Sequence, residues 1–303
     1  MAIQTVPAPF RRLRPVAIAL PCAFFLFACE GIVGDGFTDT TGGAAGAGGD
    51  VVGGSGGAGG DVVGGGGGGG TGGDGGAPWQ SVQTDWCTAE WLGIDDHTCF
   101  YAPTSLPPNP AVLYFLHGMM PPDSSPKGMQ AIAKAAADKH GFVAVFPRGK
   151  QGLCAWDSSV LDWWCWPTSR QAVDTHAAAF VDEWTGAEVI LEGALGTTFE
   201  RRYVMGFSNG GYFAAYIGLE ALLAVDGIGV VAAGRSYVDE SLMPKDADPF
   251  YVAVGELDVD SVKNSASNLA FVLGQHAWPV DFVLHSNRGH EIRADDFDGA
   301  AAI

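Results

Sequence analysis

Six short runs along the chain are apolar on both faces: Val112–His117 (V-L-Y-F-L-H), Phe142–Pro147, Arg202–Phe207, Gly227–Ala233, Phe250–Val254 and Val280–His285. A strand with one wet face alternates, so continuous runs predict central strands of a parallel sheet covered on both sides. Thr98–Tyr101 predicts a further strand leading the set. Between the runs the apolar positions follow helical spacing. Met129–Lys139 is alanine-rich, and Gln171–Trp184 places Val173, Ala177, Phe180, Val181 and Trp184 on one stripe. Gly210–Leu223 begins directly behind a strand. Strands alternating with helices predict an α/β protein with a doubly wound, mostly parallel sheet.

This pattern is absent before residue 78. Of the 45 glycines in the chain, 25 lie between Gly31 and Ala77. Such a segment has too little apolar surface to offset its ordering entropy, so 29–77 is expected to be a flexible, disordered linker. Gly-Asp-Val-Val-Gly-Gly occurs in it at 49–54 and again at 60–65. In front of it, Arg11, Arg12 and Arg14 precede an uncharged apolar run from Val16 to Ala28. That run is shorter than the roughly 20 residues a bilayer core requires and has the length of a signal-peptide core. It ends in Leu26-Phe27-Ala28-Cys29, which resembles the bacterial lipoprotein box, where cleavage precedes a cysteine that carries the lipid. Residues 1–28 are therefore expected to be a lipoprotein signal peptide and Cys29 the lipid anchor. Secretion after cleavage elsewhere, and an uncleaved anchor, are the alternatives.

Residues 78–303 have an ordinary globular composition. One domain of this size buries about 70% of its unfolded surface and needs neither metal nor disulfide to fold. It carries 13 Lys+Arg against 28 Asp+Glu, a net charge of −15. That balance excludes the basic face that nucleic acid or an anionic membrane surface needs. Four cysteines remain: Cys87, Cys99, Cys154 and Cys165. An even number in an exported domain favours two disulfides, and the short spacings favour Cys87–Cys99 with Cys154–Cys165 over the other connectivities. No Cys or His spacing fits a zinc site. Asp295, Asp296 and Asp298 lack EF-hand spacing and read as a solvated acidic tail, so no metal is expected.

Gly206-Phe207-Ser208-Asn209-Gly210 is G-x-S-x-G at the junction of a predicted strand and a predicted helix. The turn is too tight for side chains at its flanks, and it lifts the serine hydroxyl clear of the sheet edge. In a chain so rich in glycine the pentapeptide alone means little; the strand–turn–helix context gives it weight. A serine nucleophile needs a histidine base and a carboxylate to orient that base, here in the order serine, acid, histidine. His290 follows the last strand. Asp258 follows the strand before it, with Asp260 and Glu256 as competitors in the same loop. His285, inside a strand, and His276 read as structural; His97, His140 and His176 precede the serine and break the order. The backbone amides of Met119 and Asn209 are expected to hold the developing oxyanion, with His117 a buried hydrogen-bonding residue.

L-H-G at 116–118, G-F-S-N-G-G at 206–211, G-E-L-D at 255–258 and R-G-H at 288–290 resemble one group of enzymes, as does Cys154-Ala155-Trp156 with Arg170, Asp174 and Phe180 downstream. The group contains polyhydroxybutyrate depolymerases and secreted feruloyl or acetyl-xylan esterases of the α/β-hydrolase superfamily. The resemblance covers most of 85–295. It implies an α/β-hydrolase fold and a serine carboxylic ester hydrolase without a cofactor. Val254 stands where the family often has histidine, and Glu291-Ile292 where members usually carry Trp-Pro-Gly; both departures bear on the substrate. With 13 residues after His290, the terminal helix must be short. Trp156, Trp163, Trp164 and Trp166 crowd the loop 154–167, which holds two cysteines. They offer a platform for a sugar, a phenolic ring or a polymer surface, or else a local core around the disulfide. The expectation is an exported enzyme, held at the cell envelope by its lipid or secreted, acting on a small or polymeric ester. A serine peptidase of the same superfamily and a catalytically silent binding protein are the alternatives.

Overall fold

The computed structural model describes residues 79–154, 157–235, 243 and 247–303. The expected signal peptide, Cys29, the linker and Trp156 lie outside the described residues.

The elements, in order, are β1 Leu92–Gly93, β2 Thr98–Tyr101, β3 Ala111–Leu116, α1 Lys127–His140, β4 Val143–Pro147, α2 Arg170–Leu195, β5 Arg201–Phe207, α3 Asn209–Leu219, β6 Gly227–Val231, β7 Phe250–Gly255, α4 Asp260–Gln275, β8 Val280–His285 and α5 Ala294–Ala300. The strands form one sheet in the order β1-β2-β4-β3-β5-β6-β7-β8. β1 and β2 pair antiparallel, β2 meets β4 antiparallel, and every later pairing is parallel. This is the doubly wound, mostly parallel sheet that the apolar runs predict.

Both faces are covered, which is why the runs do not alternate. Along β3, Val112, Tyr114 and Leu116 face one core with Trp166, Phe180, Trp184 and Phe213. Leu113 and Phe115 face the other, with Ala133, Ala136 and Ala137 of α1 and Phe297 of α5. Because the central strands are parallel, β3, β5, β7 and β8 all end at one edge. Leu116 pairs with Gly206, Phe207 with Val231, and Gly255 with His285, so the loops leaving these strands meet there.

Three expectations need correction. β8 is an edge strand rather than a central one, with Phe282 39% and Leu284 54% exposed; an apolar run does not reveal whether a neighbour lies on both sides. α2 continues past Trp184 to Leu195, because Ala187 and Leu191 extend its buried stripe until Gly196 turns left-handed at φ 63°. α3 stops at Leu219, and Ala221, at φ 48°, ends any continuation to Leu223. The helix α4, buried through Ala266, Leu269, Val272 and Leu273, has no counterpart among the predicted elements.

Among the described residues Cys87–Cys99 and Cys154–Cys165 form disulfides, with Cα atoms 5.5 and 5.9 Å apart. The first ties the entry segment to β2; the second closes the tryptophan loop. Among the described residues no helix is long and apolar enough to cross a membrane.

Candidate active site

β5 ends at Phe207 and α3 begins at Asn209, which leaves Ser208 alone in the turn at φ 52°, ψ −120°. A non-glycine residue keeps that backbone only where its surroundings impose it. Here the Ser208 N–H donates to the Val231 carbonyl at 2.9 Å, and the Ser208 carbonyl accepts from the Tyr212 N–H at 3.1 Å. The flanking glycines are required by contact: a Cβ on Gly206 would strike the Gly210 backbone, and one on Gly210 the carbonyls of Leu116 and His117.

Three side chains from three loops come together at this turn. Ser208 Oγ lies 2.8 Å from His290 Nε2, and His290 Nδ1 lies 3.0 Å from each Asp258 carboxylate oxygen. A neutral imidazole protonated on Nδ1 donates to Asp258 and presents its Nε2 lone pair to the serine hydroxyl. The Asp258 carboxylate is fully buried and also accepts the Val259 N–H at 2.7 Å. The loops of acid and base are laced together, since Glu256 N–H donates to His285 O at 2.9 Å and Leu257 N–H to Arg288 O at 2.8 Å. The competitors lie elsewhere: Asp260 is solvent-exposed and pairs with Lys263 at 3.0 Å, and Glu256 accepts the Asn287 N–H at 3.3 Å.

The Gly118–Met119 loop lies against the serine, where a Cβ on Gly118 would sit 3.3 Å from Ser208 Cβ. Asn209 N–H is the first of α3 and has no acceptor within its helix. Among the described residues neither this N–H nor that of Met119 donates to another backbone group. His117 beneath them is a brace. Its Nδ1 donates to Gly118 O at 2.5 Å and its Nε2 accepts the Gly149 N–H at 2.9 Å. Burial pushes its pKa down to about 4, so it stays neutral.

The tryptophan loop divides. Trp166 is fully buried, so its expected place on a substrate platform is corrected. Its indole N–H donates to His117 O at 2.9 Å, and its backbone N–H donates to the Asn209 side-chain oxygen at 2.7 Å. It fills the core beneath the turn and fixes the residue next to the serine. Trp163 and Trp164 are half-buried.

The acidic tail is also corrected. Asp296 is fully buried: Arg288 Nη1 donates to its two oxygens at 2.8 and 2.9 Å, and Arg293 N–H donates at 2.8 Å. His285 Nε2 lies 3.1 Å from it. Burial raises the Asp296 pKa, against the Arg293 N–H and the Arg288 charge. The sequence pattern missed this cluster because three nearby aspartates look solvated until a buried arginine is brought to two of them, Asp295 and Asp296. Among the described residues no group of His, Cys, Asp or Glu side chains is placed to hold a metal ion.

The strand order, the turn holding Ser208 and the loops meeting above it define an α/β-hydrolase fold. Solved structures agree. The chain is similar to esterase PE8 (TM-score 0.51, 19% identity, 67% of this chain and 94% of that one). It is also similar to SOBER1 of Arabidopsis thaliana (TM-score 0.51, 17% identity, 63% of this chain and 96% of that one). A stretch of 131 residues, 43% of the chain, is 32% identical to the bifunctional acetylxylan esterase/xylanase XynS20E of Neocallimastix patriciarum and spans 16% of that protein's length. No family model matches the chain.

Proposed function

We propose that the protein is a serine carboxylic ester hydrolase with Ser208 as nucleophile, His290 as base and Asp258 as orienting acid. The observation carrying this reading is the hydrogen-bond chain from the buried Asp258 carboxylate through His290 to Ser208 Oγ. His290 Nε2 takes the hydroxyl proton as Oγ attacks the ester carbonyl carbon. The imidazolium that forms faces Asp258. The carbonyl oxygen, now an alkoxide, is held by the N–H groups of Met119 and Asn209. Collapse expels the alcohol, which takes the proton from His290. Water, deprotonated by the same nitrogen, then cleaves the acyl-enzyme. The scheme draws on these groups alone and uses no cofactor.

The names of the similar proteins, an acetylxylan esterase and an esterase, favour ester over amide substrates. Among the expected types, the acetylxylan match favours small acyl esters of a sugar polymer over feruloyl or hydroxybutyrate esters. Trp163 and Trp164 supply an apolar wall for the substrate. Two disulfides favour an oxidising compartment, in keeping with export and a lipid at Cys29.

Fluorophosphonate labelling, with hydrolysis of p-nitrophenyl acetate, acetylated xylan, methyl ferulate, hydroxybutyrate oligomers and a peptide amide, tests the proposal. Labelling confined to Ser208 and hydrolysis of the acetyl esters are expected. Full esterase activity in Ser208→Ala overturns the mechanism. Absence of both labelling and turnover leaves a binding protein. Export is checked by fractionation, with Cys29→Ser expected to move the protein from membrane to soluble fraction.

A further inference from the structure

At the catalytic edge a cation is held between aromatic faces. Arg148 directly follows β4, and its guanidinium lies 3.5 Å from the Trp164 ring centroid and 5.0 Å from that of Trp86. Among the described residues no carboxylate forms an ion pair with it; exposed Asp85 acts only at longer range, while burial lowers the guanidinium's basicity. Two buried side-chain nitrogens of the described residues have no hydrogen-bond partner: Arg148 Nε and Trp164 Nε1. Both are donors, and they belong to one stack. A buried orphan asks for an explanation, and a half-buried guanidinium with no carboxylate beside it and an incomplete set of acceptors is complementary to an anion.

The stack is tied to the reaction centre. Met120 N–H donates to Trp164 O at 3.1 Å, and Trp164 N–H donates to Met120 O at 2.8 Å. Met120 follows Met119, and Gly118 packs on Ser208. β4 neighbours β3, which neighbours β5, so Arg148 stands two strand spacings, roughly 10 Å, from the serine. We propose that Arg148 and Trp164 form an anion subsite selecting esters that carry a second, ionised carboxylate on the acyl or alkoxy part. This deepens the esterase reading and rests on it. The domain's net charge of −15 disfavours such a substrate at long range. A half-buried cation two strand spacings from the serine gives the far carboxylate of such an ester a favourable contact where it docks.

The test compares kcat/KM for the p-nitrophenyl half-ester of adipate with that for its neutral methyl adipate counterpart at pH 7. The wild type is expected to prefer the charged ester by about tenfold or more, chiefly through KM, with the preference shrinking at high salt. Arg148→Gln is expected to bring the two esters to equality and Arg148→Lys to restore part of the preference. Trp164→Phe keeps a ring under the guanidinium but deletes the orphaned N–H, and is expected to reduce the preference several-fold. Equal turnover of both esters by the wild type, or an undiminished preference in Arg148→Gln, overturns the subsite. Calorimetric titration of Ser208→Ala with adipate reads the subsite without turnover; saturable binding is expected, and its loss on adding Arg148→Gln. Binding of adipate with neither ester hydrolysed means that the esterase reading has failed and the subsite stands. Hydrolysis with neither charge preference nor adipate binding means the reverse.

Discussion

Two histidine–carboxylate pairs stand at neighbouring strand ends. His290 is 3.0 Å from Asp258, and His285 is 3.1 Å from Asp296. Distance does not separate them; their surroundings do. Asp258 gives both oxygens to one imidazole and otherwise accepts a backbone N–H. The far nitrogen of that imidazole meets a hydroxyl on a strained turn. Asp296 is bound at both oxygens by Arg288 and at one by Arg293 N–H, with His285 a further claimant on the same carboxylate. The nitrogen of His285 that faces Asp296 also lies 3.4 Å from Tyr251 Oη, a weak partner. A carboxylate already neutralised by a guanidinium stabilises an imidazolium weakly; one reserved for a single imidazole stabilises it strongly. A His–Asp contact therefore supports proton transfer when the carboxylate is undivided and the far nitrogen faces a nucleophile. The other arrangement is a rivet, joining β8, the His290 loop and α5.

The largest effects test the first pair. Ser208→Ala and His290→Ala are each expected to lower kcat by about 10⁴–10⁶-fold, and the double variant hardly further, because the residues act as a unit. Additive losses would show that they do not. Asp258→Asn is expected to cost about 10²–10⁴-fold in kcat with a melting temperature near that of wild type.

Asp296→Asn reverses that profile. It removes the buried one of the two carboxylates that Arg288 pairs with, Asp295 keeping the other contact, so about 1–3 kcal/mol of stability is expected to go, while kcat of the folded protein stays within about tenfold. Denaturant titration and steady-state kinetics on the same samples separate the two. Should Asp296→Asn lose activity and keep its stability, the distinction between the pairs collapses.

A third histidine sharpens the contrast, because the hydrogen-bond partners of the His117 ring among the described residues are backbone groups. Its pKa is about 4 in the folded state against 6.5 ordinarily. Within that window the unfolded chain binds a proton that the folded chain does not, so stability falls as pH drops from 6.5 towards 4, by about 3 kcal/mol in all. Melting curves across this range should flatten in His117→Gln. The smallest effect is expected from Asp260→Asn, under about tenfold in kcat/KM, since its carboxylate faces solvent. A dead Asp260→Asn beside an active Asp258→Asn would reassign the acid.

The features legible along the chain are those set by neighbours in sequence. Apolar runs mark β3 to β7 because each strand is buried on both faces, whatever its partner. Gly206 and Gly210 bracket Ser208 because a Cβ at either position, two residues from the serine, would strike backbone. Cys87–Cys99 and Cys154–Cys165 follow from short spacing, since loops of that length find their ends readily. What depended on residues distant in sequence was not legible there. Asp258 and Asp260 lie two residues apart in one loop, and only the fold carries the first to His290 and leaves the second in solvent. Trp164 and Trp166 share one aromatic segment, yet one sits under Arg148 and the other fills the space beneath the serine turn. Asp296 reads as one acid among several until Arg288 arrives from the other side of the His290 loop. Burial and partner are properties of the packed sheet, set by strand order and loop meeting points, and a local pattern carries no record of either.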